Sequence, residues 1–335
     1  MMRGIQISLL IAVGSTALLV GYIEQSRTYI TIFVHGSRGS FPSPLQLLKG
    51  MGEVNEELFD CPLGMWRIDD LERKNHFWTV ADLLERVDPL RFPREHYYAF
   101  GWSGKLSFKV RQLAAHRLYG ELKRLIARYE ACDGITPHVT VITHSHGGNV
   151  ALNLAYFYQL DKEPSFKIDR LVLLACPVQG KTAPFTASEL FKKVYSLHSH
   201  RDSLQVLDPQ GFHSFRRRVK KVIRTGSLKA LWKRSDNLEH PSFFSQRHFH
   251  PQTNLVQARI RWSETRPWDS HDVAILPKFQ HAATKIGSVL KMPRDLMHLD
   301  FLIPSFLERL PMVLDGLDAG LYEPLPGTVD RYVPL

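Results

Sequence analysis

The chain has 335 residues and a mass of 38.5 kDa, room for one large α/β domain with an insertion or for two modest domains. With 44% hydrophobic and 23% charged residues, its composition excludes wholesale disorder and fibrous repeats; three cysteines without a CxxC pair exclude a disulfide scaffold or a thiolate zinc site. The net charge of +10 raises nucleic acid or anionic membrane as partners, but thirteen basic and three acidic residues fall between Lys181 and Arg234, so the rest of the chain is neutral.

The first element in chain order is the uncharged run of twenty residues from Gly4 to Ile23. It matches the roughly 20 residues that cross a bilayer as a helix. Residues 1–23 are therefore read as a membrane anchor or a signal segment, with a buried strand pair as the remaining alternative. The small-residue pattern at Ser15-Thr16-Ala17 would suit cleavage, but Leu18-Leu19-Val20 is a poor start for a mature chain. Either of the first two readings places the protein at a membrane or across it.

From Thr28 onward, short β-branched runs alternate with helical stretches. Tyr29–Val34 reads as a strand ending at His35-Gly36, and Pro44–Phe59 reads as a helix with Leu45, Leu48 and Met51 on one side. His96–Phe100 is a strand. Lys105–Tyr129 is a helix through Leu106, Val110, Leu113, Leu118, Leu122 and Leu125. Val139–Thr143 is a strand, Gly147–Gln159 a helix, and Ile168–Ala175 a strand apolar enough to be covered on both faces. Val194–Leu197 and Leu255–Trp262 follow, the latter as the expected last strand. The alternation predicts a mostly parallel sheet with helices on both faces.

Chemistry concentrates where the strand at Val141 runs into Thr143-His144-Ser145-His146-Gly147 and a helix starts at once. A tight strand–helix turn needs small residues around its serine, lifts the hydroxyl above the sheet, and aims the next backbone N–H, that of His146, at a developing oxyanion. Thr143 stands where a GxSxG pattern has glycine; its β-branch matters only if Thr143 itself takes an unusual backbone angle. The bland alternative for Ser145 is a helix cap.

The His-Ser-His-Gly-Gly run at 144–148 resembles the nucleophile elbow of the α/β-hydrolase superfamily of serine esterases and lipases. The resemblance spans about Thr28 to Lys291 and omits the N-terminal run, the basic insert and the C-terminal tail. It implies an α/β-hydrolase fold over residues 24–335, shortened at its N-terminal edge, with residues 203–253 as a basic cap or lid and 293–335 as a helical tail. The tail's apolar run, Leu296 to Leu317, suits a docked helix or a partner surface. The resemblance further implies that the HG pair at His35-Gly36 supplies a second oxyanion donor, the Ser37 backbone N–H. The triad order Ser, acid, His implies Asp202 after the Val194 strand, with Asp208 as its rival. It also implies His271 after the Leu255 strand, with His298 as its rival. Each acid could instead be a loop carboxylate beside Arg201, and His271 could pair locally with Asp269 or Asp272.

Three His-x-His pairs, 144/146, 198/200 and 248/250, invite a metal reading. Taken one pair at a time they do not support it, since the first flanks the candidate nucleophile and the second precedes the candidate acid. No metal and no cofactor is expected. Ser103, in Gly101-Trp102-Ser103-Gly104, imitates an elbow but has Lys105 where a glycine belongs, and reads as a chain turn and helix cap.

Within the basic segment 212–234, Phe215, Val219, Val222 and Ile223 share one helical face, with Arg216, Arg217, Lys220, Lys221 and Arg224 on or beside the other. That pattern suits an interfacial helix on anionic lipid, or equally a packed helix with a solvated basic face. Nucleic acid ranks third, since no recognised module accompanies the charge. The expected activity is cleavage of a carboxylic ester, with an apolar or lipid-like acyl group. A non-catalytic scaffold of the same fold and an acyltransferase using the same triad are the competing classes.

Overall fold

The computed structural model describes residues 27–37, 61–200, 202, 205, 246–262, 294–295, 301–325 and 330–335. The N-terminal run, the expected helix at 44–59, the whole of the basic segment at 212–234, and Asp208, His271 and His298 lie outside the described residues.

The described chain is an α/β fold. Its elements are β1 (Tyr29–Val34), β2 (Gly64–Arg67), α1 (His76–Val87), β3 (Tyr97–Gly101), α2 (Phe108–Asp133), β4 (His138–His144), α3 (Gly147–Leu152) and α4 (Leu154–Leu160). They continue with β5 (Ile168–Leu174), β6 (Phe191–His198), β7 (Leu255–Trp262), β8 (Arg294–Asp295), α5 (Pro304–Leu307), α6 (Leu310–Asp318) and β9 (Arg331–Pro334). Nine strands form one sheet in the order β2-β3-β1-β4-β5-β6-β7-β8, with β9 also paired to β7. Pairing is parallel throughout except at β2, antiparallel to β3, and β8, antiparallel to β7.

Alternation along the strands builds two cores. On β1, Ile30, Ile32 and Val34 face one apolar layer while Phe33 faces the other. The first layer holds Leu118 and Leu122 of α2 with Val150 and Leu154 of α3 and α4. The second holds Phe77, Val80 and Leu84 of α1 with Phe306, Leu310 and Leu314 of α5 and α6. A sheet buried on both faces explains why β5 reads as an apolar run rather than an alternation.

Several expectations change. The expected last strand is followed by two more, and β9 carries the C-terminus into the sheet beside β7. The expected tail holds two short helices, α5 and α6, whose buried residues complete the second core. Asp318 at the end of α6 fixes that docking by accepting from Tyr195 Oη at 2.6 Å and Arg170 Nη2 at 3.1 Å. Beyond β3 the described sheet ends in the antiparallel β2, a strand that the sequence reading did not include. The expected helix at 147–159 is two helices meeting at Asn153, whose side chain donates back to the Asn149 carbonyl at 2.7 Å. Leu113, expected in the helical apolar series, is 60% exposed, because the buried face of α2 runs through Arg111, Ala115, Leu118, Leu122 and Ile126.

Candidate active site

β4 ends at His144, and the next residue, Ser145, has φ 53°. A non-glycine residue in the left-handed region is strained, and the surrounding hydrogen bonds hold it there. Ser145 N–H donates to the Leu174 carbonyl at 2.8 Å, and the Ser145 carbonyl accepts from Gly148 N–H at 3.0 Å. The N-cap position of α3 is His146 rather than Ser145. Thr143 is not in the left-handed region and its hydroxyl donates to the Val172 carbonyl at 3.0 Å, so its β-branch is accommodated inside the sheet.

Glycine is required on both sides of this turn. A β-carbon on Gly147 would stand 2.5 Å from the His35 carbonyl oxygen and would also collide with that of Val34. A β-carbon on Gly36 would stand 2.9 Å from the Ser145 Cβ. One on Gly148 would run into the Cys176 side chain. The turn after β1 and the turn after β4 are therefore pressed together, which brings the His35-Gly36-Ser37 backbone beside Ser145.

His35 is clamped by Trp102. The Trp102 backbone N–H donates to His35 Nε2 at 3.1 Å, its indole N–H donates to the His35 carbonyl at 2.8 Å, and the rings stack at 5.7 Å. Sequence reasoning passed over Trp102 because nothing local distinguishes it from a core aromatic. Its neighbour Ser103 is exposed and caps no helix; α2 begins at Phe108 after Ser107, with no side-chain cap bond.

The carboxyl end of the sheet continues through Ala175, also left-handed at φ 51°, whose N–H donates to the Leu197 carbonyl at 2.9 Å. Asp202 follows β6 and is buried at 1% exposure. One of its carboxylate oxygens accepts from Gln205 N–H at 2.9 Å, and the Gln205 amide donates to the Cys176 carbonyl at 2.8 Å. Ser145 and Asp202 thus sit on turns that follow β4 and β6, both braced against the turn after β5. Burial pushes the Cys176 thiol up to about 12, so it is a neutral packing group and not a rival nucleophile. Fully buried Arg111 donates to Gln179 Oε1 at 2.7 Å and steadies the same turn. Arg247 donates to the Ser199 carbonyl at 3.1 Å and the Asp202 carbonyl at 3.0 Å, tying the entry to β7 onto the candidate acid's loop.

No family model matches the chain, and no curated protein is significantly similar to it.

A second cluster lies at the end of β6. His198, His200 and His248 gather there, with the nearly buried Asp330 accepting from His248 Nδ1 at 2.8 Å and lying 3.4 Å from His198 Nε2. Burial pushes the Asp330 carboxyl up, but the two adjacent histidines outweigh it and hold the group below the usual carboxylate range. Burial likewise lowers His198, favouring its neutral ring. Each His-x-His pair is a local pattern in the sequence, whereas the fold joins one whole pair, 198/200, to one member of another, His248. A cavity of about 240 Å³ between Arg67, His96, Arg128 and Tyr129 involves the amino end of β3, the end away from Ser145. Among the described residues, no helix is long and apolar enough to cross a membrane.

Proposed function

We propose that the chain is a serine hydrolase of the α/β-hydrolase fold that cleaves carboxylic esters through an acyl-enzyme. The observation that carries this reading is the left-handed backbone of Ser145 at a strand–helix turn closed by Gly36 and Gly147. Ser145 Oγ attacks the ester carbonyl and passes its proton to His271, the base expected after β7. The tetrahedral oxyanion is received by the backbone N–H groups of His146 and Ser37. The carbon–alkoxide bond then breaks, and the leaving alcohol takes the proton from His271. Water repeats the sequence on the acyl-enzyme, releasing the acid and restoring Ser145. Asp202 holds the His271 ring in its working tautomer and stabilises the imidazolium.

The uncharged run at 4–23 and the basic segment at 212–234 support an apolar or lipid-like acyl group presented at a membrane. The test is hydrolysis of nitrophenyl esters of rising acyl length by the full chain beside Ser145→Ala. The reading expects turnover that increases with acyl length and is lost by several orders of magnitude in the variant. Equal rates in parent and variant would overturn it.

A further inference from the structure

We propose that His198, His200 and His248 bind one divalent transition-metal ion, zinc foremost, with Asp330 as their carboxylate partner. Each ring offers one nitrogen, and the three atoms lie within 4.8 Å of one another. The His198 and His248 rings are 4.7 Å apart with their planes at 76°, and His200 is 6.4 Å from the first and 6.3 Å from the second. Tetrahedral zinc with nitrogen ligands at about 2.0–2.1 Å holds its donor atoms about 3.4 Å apart. Small rotations of the two exposed rings, His200 and His248, close the set to that spacing.

The donor chemistry selects the ion. Three imidazoles without a thiolate suit zinc, nickel or copper rather than calcium or magnesium, which take oxygen ligands. Asp330 supplies the negative charge that a dication among neutral rings requires. Its contacts with His198 and His248 are the carboxylate–histidine arrangement that orients metal-bound imidazoles.

The location gives the site a role. His198 ends β6 and His200 follows it, His248 lies on the approach to β7, and Asp330 leads into β9. An ion here ties the end of β6 to the stretches that lead into β7 and β9, so that its binding free energy contributes to the stability of that part of the sheet. Neither Ser145 nor Asp202 is a ligand, so the site stands independently of the ester chemistry.

The test uses the untagged full chain, stripped with a chelator and titrated with Co²⁺ and then Zn²⁺. The proposal expects one ion per chain, visible bands of low-coordinate Co²⁺ that Zn²⁺ abolishes, and a higher Tm in the loaded protein. His200→Ala and His248→Ala, at exposed positions and checked for parental circular dichroism, each weaken binding by at least about tenfold; Asp330→Asn weakens it by about 10–100-fold. Ser145→Ala binds metal as the parent does, which separates this result from the esterase test. A parent that takes up neither ion stoichiometrically, or histidine variants that bind as tightly as the parent, would overturn the proposal.

Discussion

Gly36 lies so close to Ser145 that a β-carbon on it would stand 2.9 Å from the serine's own Cβ. This contact presses the turn after β1 against the turn after β4, beside the Ser145 side chain. A methyl at Gly36 must displace one turn or the other. Gly36→Ala is expected to reduce ester turnover by at least about tenfold, the order of effect that small misplacement has on a preorganised site. Comparing kcat with the denaturation midpoint checks that the loss is one of geometry.

Gly147→Ala has a different signature, because its β-carbon meets the Val34 and His35 backbone carbonyls rather than a side chain. Backbone in a central strand yields little. The expected cost is about 1–3 kcal/mol of stability, the range for overpacking, read from urea unfolding of the parent and the variant.

Trp102→Phe keeps an aromatic ring against His35 and removes the indole N–H that donates to the His35 carbonyl. Loss of one buried hydrogen bond is expected to cost about 1 kcal/mol. Turnover falls more than stability if Trp102 positions the oxyanion turn. Equal, proportionate losses would make it a packing residue only.

Asp202→Asn is nearly isosteric, and its amide oxygen can still accept from Gln205 N–H. The fold is expected to persist while kcat drops by about 10⁴-fold, as when a triad acid loses its charge. The measurement is kcat beside a circular-dichroism melt.

His76 is buried, and desolvation lowers its pKa from 6.5 to about 4. The unfolded chain takes up the proton first, so this contribution is present in full above pH 6.5 and is lost as pH falls to about 4. The difference amounts to roughly 3 kcal/mol across that window. Urea unfolding from neutral pH downward reads the slope, and His76→Gln is expected to flatten that part of it.

What the sequence made legible follows the range of the signal. The strand–helix turn at Ser145 was readable because strand, small residues and helix lie within ten positions of one another, and β1 and β7 have the bounds their β-branched runs suggest. β2 was not readable: it is four residues long, with Trp66 and Arg67 exposed, and only its pairing with β3 makes it a strand. β9 ends in proline and is recruited by β7. α1 did carry a signal that the reading passed over, an Asn75 cap accepting from Phe77 N–H at 2.9 Å and apolar residues at helical spacing. The histidine cluster needs His198, His248 and Asp330 to meet across more than a hundred residues, which no local pattern encodes.

The central claim is that Ser145 is an activated nucleophile. The most direct measurement is treatment of the folded full chain with a fluorophosphonate probe, followed by peptide mass spectrometry, beside Ser145→Ala. The expected result is a single phosphonyl adduct on Ser145 that the variant lacks. A folded parent that stays unlabelled, or a variant labelled as strongly as the parent, would contradict it.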